Sequence, residues 1–303
     1  MNAVFNPSIN EPINLDAKFD VQLVMKREDQ IHPDISGNKY RKLKYNLEEA
    51  KKLGCKTLLT FGGAFSNHIS ATAAAGEKFG FNTIGVIRGE ELIHKIELNP
   101  TLEFAQHCGM HFKFVTRETY RKKTSRQFIE ELTSEFGDFY LIPEGGTNTL
   151  AVKGCEDILT ESDKDFDYIC CAVGTGGTIS GLINCSKPGQ QILGFPALKG
   201  SFLKEDIGKF VHKTNWKLMT DYHFGGYAKI NEALISFINE FKNVHGIPLD
   251  PIYTGKLMFG LFDLLQKGFF PKGSKILAIH TGGLQGIEGM NKNLKAKGLP
   301  LIV

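Results

Sequence analysis

The chain has 303 residues, 42% of them hydrophobic and 23% charged, and a formal net charge of +3. That length and composition describe a soluble globular protein with room for two domains, and so small a charge does not point to a nucleic-acid or membrane surface. No apolar run is long enough to span a membrane, and Met1-Asn2-Ala3-Val4-Phe5-Asn6-Pro7 has no basic segment followed by an apolar one, so a cytoplasmic protein is expected. Lys51-Lys52 and Arg121-Lys122-Lys123 are local basic spots expected on solvated faces. Cys55, Cys108, Cys155, Cys170, Cys171 and Cys185 lack paired metal-ligand spacing, so no metal is expected; they read as small hydrophobes in a reducing compartment.

In chain order, Val21–Met25 reads as a strand leading to Asp34-Ile35-Ser36-Gly37-Asn38-Lys39-Tyr40-Arg41-Lys42-Leu43. The Ser-Gly-Asn turn starts a helix that Gly54 ends, with Tyr40, Leu43, Leu47 and Ala50 on one apolar face. Lys39 stands just inside that helix. The positive end of the helix dipole and partial burial both favour its neutral amine, the form that carbonyl chemistry needs; the plain alternative is one more surface lysine. Four strand-led units follow, with strands at Thr57–Phe61, Thr83–Ile87, His111–Val115 and Phe139–Ile142, and helices starting near Ser66, Pro100 and Thr124. These make one small parallel sheet. After Glu144-Gly145-Gly146 the pattern restarts with a helix from Asn148 and strands Tyr168–Val173, Gln191–Phe195 and Lys275–Ile279, apolar without alternation as in a sheet covered on both faces. The expectation is therefore α/β with two open parallel-sheet domains, the larger one formed by 1–43 and 146–303 and the smaller, 44–145, inserted in it. A ligand is expected in the cleft between them.

Three glycine-rich turns follow strands, where open parallel sheets bind ligands. Gly174-Thr175-Gly176-Gly177-Thr178-Ile179-Ser180-Gly181 offers backbone N–H groups, two threonine hydroxyls and a helix N-terminus, a set suited to one phosphate group. It matches neither the P-loop nor the dinucleotide fingerprint, and tight packing is the alternative use of its glycines. Phe61-Gly62-Gly63-Ala64-Phe65-Ser66-Asn67-His68 opens a helix rich in alanine, and Ser66 or Asn67 suits an ordinary N-cap there. The third turn is His280-Thr281-Gly282-Gly283-Leu284-Gln285-Gly286.

With Lys39, these turns resemble the pyridoxal-phosphate enzymes of the tryptophan synthase β-like fold, fold type II, and within them the 1-aminocyclopropane-1-carboxylate deaminase and D-cysteine desulfhydrase family. The resemblance runs from Val24 to Gly286. It also rests on Lys26-Arg27-Glu28-Asp29, Phe224-Gly225-Gly226-Tyr227 and Asp250-Pro251-Ile252-Tyr253-Thr254-Gly255-Lys256. The resemblance implies pyridoxal 5'-phosphate as cofactor, with Lys39 attached to its aldehyde and shuttling a proton. It implies Asn67 on the ring hydroxyl, Gly174, Thr175, Gly176, Gly177 and Thr178 on the phosphate, and Thr281 beside the ring. Ser66, Asn67 and His68 would take the substrate carboxylate, with Ser66 also a candidate proton-transfer group. Tyr227 and Tyr253 match the two active-site tyrosines, Tyr253 also contacting substrate.

Two positions discriminate within the family. Ring-opening deaminases carry Glu after the second tyrosine and Leu after the His of the third turn; Thr254 and Thr281 stand there instead. A hydroxyl facing the pyridine nitrogen is a weaker proton donor than a carboxylic acid, which favours β-elimination, and so a D-cysteine desulfhydrase-like lyase. The alternatives are the ring-opening deaminase and a non-catalytic nucleotide or ligand carrier. Phe65 stands where the family commonly has Gln, altering the expected pocket wall, and the segment after Arg88-Gly89-Glu90-Glu91 is short. The partner expected is a small amino-acid substrate, with a homodimer as the family's assembly.

Overall fold

Strands whose apolar runs lack alternation form the middle of both sheets of the computed structural model, which describes residues 6–303; the reading of Met1–Phe5 lies outside the described residues. In chain order the strands are β1 (Asn10–Ile13), β2 (Gln22–Lys26), β3 (Thr57–Gly62), β4 (Asn82–Arg88), β5 (Met110–Val115), β6 (Tyr140–Ile142), β7 (Tyr168–Val173), β8 (Gln191–Pro196), β9 (Trp216–Leu218) and β10 (Lys275–Ile279). The helices are α1 (Asn38–Lys52), α2 (Asn67–Phe79), α3 (Pro100–His107), α4 (Arg117–Arg121), α5 (Arg126–Phe136), α6 (Thr149–Glu156), α7 (Gly177–Cys185), α8 (Phe202–Gly208), α9 (Glu232–His245), α10 (Thr254–Gln266) and α11 (Gly286–Ala296). One sheet runs β5-β4-β3-β6, all parallel; the other runs β1-β2-β10-β7-β8-β9, parallel except for β1. The larger sheet is parallel as expected, with one addition at that edge, where Asn10-Glu11-Pro12-Ile13 pairs antiparallel with β2. Pro12 lacks an N–H, which suits an edge strand.

α1 is held by its apolar stripe. Leu43, Leu47 and Ala50 are buried with Leu58, Ala71 and Ile142, and each buried leucine contributes roughly 1.5–3 kcal/mol. A second clamp acts from the polar side: Arg41 donates from Nε to Glu28 Oε2 (2.8 Å) and from a terminal nitrogen to Glu28 Oε1 (2.9 Å), with Glu28 fully buried. On the next face, a Cβ at Gly154 of α6 would stand 1.9 Å from the Arg41 carbonyl, so only glycine lets the two helices pack. Lys39 thus sits on a helix fixed from three sides. α5 buries Phe128 and Leu132 and half-buries Ile129 and Phe136, the face expected from their spacing, although it starts at Arg126 with Ser125 as its cap rather than at Thr124.

The β2 end of the larger sheet is secured to the turn before β7 by a buried ion pair. Lys26 Nζ lies 2.7 Å from Asp163 Oδ2, and Asp163 also accepts from Asn10 Nδ2 (2.7 Å) and from the Thr160 backbone N–H (2.8 Å). This ties β1, β2 and the turn before β7 together. Cys155, Cys170 and Cys171 are buried and the other three cysteines half-buried, all unpaired. Of the two basic spots, Lys51, Lys52, Arg121 and Lys122 are exposed, whereas Lys123 is half-buried and pairs with Glu144 at 3.3 Å. No helix among the described residues is long and apolar enough to cross a membrane.

Candidate active site

Three neighbouring strands of the larger sheet end at one edge. β2 leads through Arg27–Gly37 to Lys39, β10 leads to Thr281 and β7 leads to Gly174, while β3 of the other sheet leads to Ser66. This is where parallel sheets bind ligands, because the strand ends deliver loops and helix N-termini to a common crevice. The crevice encloses about 620 Å³, mouth included, and is lined by Lys39, Ser66, Asn67, His68, Gly174, Thr175, Gly176, Thr178, Tyr227, Tyr253 and Thr281 among others. Of the residues to which the resemblance gives a cofactor, substrate or catalytic role, Gly177 is the one absent from the wall; it opens α7 directly behind the loop. Gly37 holds α1 against the third turn: its φ is 62°, and a Cβ there would lie 2.1 Å from the Thr281 carbonyl oxygen.

Lys39 presents part of its side chain to the cleft, yet its amine is deep. Burial lowers its pKa to about 8, only partly offset by Cys155 and Asp250. Among the described residues its amine makes one hydrogen bond, to Asn38 Oδ1 at 3.3 Å, which leaves it free to react. Lys42, one helical turn on, was not singled out as a site residue. It is 3% exposed, and its Nζ donates to the Gly145 carbonyl (2.8 Å), Thr147 Oγ1 (2.9 Å) and Thr175 Oγ1 (3.3 Å). Burial, then the neighbouring Lys39 charge, lowers its pKa to about 7. The signal was there in the spacing: residues i and i+3 share a helix face.

The loop after β7 is a cradle that side chains would fill. A Cβ at Gly177 would stand 2.8 Å from Thr147 Oγ1 and 3.2 Å from Lys42 Cε, and one at Gly174 3.1 Å from the Tyr253 ring. Gly176, with φ 85°, is the left-handed N-cap of α7. Asn38 Nδ2 donates to Thr178 Oγ1 (2.7 Å). Threonine hydroxyls, the N-terminus of α7 and the Lys42 ammonium form a donor set for a phosphate, and Lys39 stands one helical turn away for an aldehyde. The residues present therefore fit pyridoxal phosphate. Replacing Lys42 by Met removes a charge-assisted hydrogen bond worth about 1.5–3 kcal/mol, so cofactor affinity is expected to fall roughly 10- to 150-fold, measured by fluorescence titration of the cofactor-free protein.

Ser66 caps α2, accepting from the Ile69 N–H at 3.3 Å, which leaves its own O–H to donate. Asn67 points past Gly283, where a Cβ would lie 2.6 Å from Asn67 Nδ2. His68 lines the cleft only from behind: it is 1% exposed, with Nε2 2.9 Å from Thr60 Oγ1. Thr60 gives its own proton to the Ile142 carbonyl, so His68 Nε2–H is the donor, and burial pushes the ring pKa well below its usual value. Tyr227 and Tyr253 meet edge to face, centroids 6.4 Å apart. Burial raises the pKa of both hydroxyls, Tyr253 the more strongly, although Tyr227 keeps 41% of its surface exposed at the mouth.

Two expectations about the pocket wall are corrected. Thr254 is fully buried, and its hydroxyl donates to Asp250 Oδ1 (2.7 Å) at the start of α10, so it does not form the wall. Asp250 also accepts from the Ile252, Tyr253 and Thr254 N–H groups, which fixes that hydroxyl away from the cleft. Phe65 turns outward onto α11, where a Cβ at Gly289 would stand 2.6 Å from its ring. Of the two discriminating threonines, Thr281 lines the cleft.

The profile of the family described as pyridoxal-phosphate dependent enzyme matches residues 6–282. A putative 1-aminocyclopropane-1-carboxylate deaminase of Pyrococcus abyssi is 32% identical over 291 residues, covering 89% of this chain and 87% of the relative. The bifunctional D-cysteine desulfhydrase/1-aminocyclopropane-1-carboxylate deaminase of Arabidopsis thaliana, described as mitochondrial, is 30% identical, covering 88% and 73%. The solved structure of an ACC deaminase homologue superposes with a TM-score of 0.82 at 29% identity, covering 97% of this chain and 94% of that one.

Proposed function

From the premise that this chain belongs to the pyridoxal-phosphate dependent enzymes, and within them to the 1-aminocyclopropane-1-carboxylate deaminase and D-cysteine desulfhydrase family, of fold type II, we propose that it is a D-cysteine desulfhydrase-like lyase. It would convert D-cysteine and water to pyruvate, ammonia and hydrogen sulfide. The observation that carries this reading is the chemistry of the cleft wall: Thr281 supplies a hydroxyl, and no carboxylate is among the described residues that line it.

When bound, the cofactor ring supplies an electron sink for charge developing at the substrate Cα, and a hydroxyl partner keeps that sink mild. A good leaving group such as thiolate suits a short-lived carbanion. Lys39 Nζ is the group that takes the Cα proton; with a pKa of about 8, about a tenth of it is neutral at pH 7. Ser66 Oγ–H and the N-terminus of α2 hold the substrate carboxylate, the dipole there favouring an anion. Tyr253, its hydroxyl pKa raised by burial, stays protonated and acts as a hydrogen-bond donor. Asn67 would orient the ring hydroxyl, and Thr175, Thr178 and Lys42 would hold the phosphate.

The test is sulfide and keto-acid detection on the cofactor-loaded protein with D-cysteine and with 1-aminocyclopropane-1-carboxylate. Sulfide and pyruvate from D-cysteine at a kcat/KM well above that for ring opening are expected. 2-Oxobutanoate from the cyclopropane substrate, without sulfide from D-cysteine, would establish the second reading, which the names of the relatives favour. The carrier alternative is set aside by membership of an enzyme family. A cytoplasmic homodimer completes the proposal; the six unpaired cysteines suit a reducing compartment, and twofold dimers are the commonest closed assembly.

A further inference from the structure

Lys256 is one of the largest fully buried side chains, 1% exposed, and no carboxylate among the described residues pairs with it. Its Nζ donates instead to two backbone carbonyls, His223 O at 2.9 Å and Gly226 O at 2.8 Å. Those carbonyls bracket a backbone path that side chains resist: Phe224 has φ 55°, Gly225 95°, Gly226 122° and Ala228 54°. Two non-glycine residues in the left-handed region need an external hold, because the local sequence prefers another path. The segment's own bonds are few, Gly225 N–H to His223 Nδ1 (2.9 Å), Gly226 N–H to His223 O (3.0 Å) and Lys229 N–H to Gly226 O (3.2 Å).

We propose that Lys256 is a positioning residue, whose buried amine holds the Phe224–Ala228 turn and thereby sets Tyr227 against Tyr253 at the cleft. The first turn of α10 makes both attachments. Tyr253 at its N-cap meets the Tyr227 ring, and Lys256 three residues later grips the backbone on either side of Gly225. Phe224 anchors the same turn by edge contact with Phe259, centroids 4.9 Å apart. Burial lowers the Lys256 pKa to about 8, opposed by Asp250, so at neutral pH the ammonium predominates and both bonds are charge-assisted. A methionine of similar length would fill the space without holding the carbonyls.

The inference rests on Tyr227 belonging to the site under the function proposed above, and its test separates the two. Hydrogen exchange is followed on the pyridoxal-phosphate-loaded wild type, Lys256→Met and Lys256→Gln. Peptides covering residues 223–228 are expected to exchange at least about tenfold faster in Lys256→Met, with an intermediate change in Lys256→Gln and none in β7 or β10. The KM for D-cysteine is expected to rise about tenfold with kcat changed less than about threefold, and Lys256→Met should add less than about twofold in kcat/KM to Tyr227→Ala. Unchanged exchange at 223–228, or faster exchange spread over the whole chain, overturns the proposal, as does full additivity with Tyr227→Ala. If wild type yields no sulfide, the lyase reading fails and the exchange measurement alone judges Lys256.

Discussion

Lys39→Ala is expected to lose the absorbance band of the attached cofactor and to lower turnover by at least about 10³-fold, since it removes both the point of attachment and the group that moves the Cα proton. Lys42 makes this a sharp test. It is on the same helix face, and its amine is pushed lower, to about 7 against about 8 for Lys39, so acidity alone would choose Lys42 as the reactive amine. Geometry chooses Lys39. Three oxygens within 3.3 Å engage the Lys42 amine, and a phosphate beside it would favour its charged form, whereas Lys39 has a single long bond to Asn38. Cofactor uptake by the cofactor-free protein should accelerate as pH rises through about 8, where Lys39 loses its proton, and level off above. A band that survives in Lys39→Ala and disappears in Lys42→Ala would transfer the role to Lys42.

Asp163→Ala is expected to cost about 3–5 kcal/mol of unfolding free energy, because it leaves the Lys26 ammonium buried without its partner. Lys26 is 1% exposed, and Asn10 Oδ1 at 3.3 Å is the other acceptor within its reach. A urea titration followed by circular dichroism measures the loss; a change under about 1 kcal/mol would mean that the pair contributes no more than a surface one. The pair also sets an acid limit. Burial alone would raise the Asp163 pKa, but hydrogen bonds from Asn10, Lys26 and Thr160 hold it below the usual carboxylate value. A carboxylate with a depressed folded pKa stabilises above its unfolded value of about 3.9, and that contribution is lost as pH falls through the folded value.

The fold was legible where one local rule decided it. Tyr168–Val173 and Lys275–Ile279 were read to the residue because short apolar runs without alternation suit covered strands, and Asn148 marked its helix by capping it. β1 and β9, three or four residues long and half polar, carry no such run. α9 went unread although Leu234, Ile235, Ile238 and Phe241 repeat at helical spacing. In the cleft, the glycine turns and Lys39 were visible because each states its chemistry within a few residues. Thr254 and Phe65 were misjudged for the opposite reason: Asp250 and Gly289 decide where they point, and neither choice is written beside them. Lys42 was hidden among lysines, its distinction arising only from oxygens supplied by residues 145, 147 and 175.

The pairing of β2 with β10 joins residues 22–26 to residues 275–279. During synthesis the four parallel strands between residues 57 and 142 can pair as soon as they emerge, since every partner lies within that span. β2 can pair early with β1, but it joins the rest of its sheet only when residues 275–279 have emerged, because β10 lies between it and β7. Closing so long a loop is slow, and the cradle has no floor until it closes. Nascent chains truncated before residue 275 should therefore fail to retain pyridoxal phosphate even with Lys39 and the loop after β7 already made, so that capture of the cofactor reports the arrival of β10.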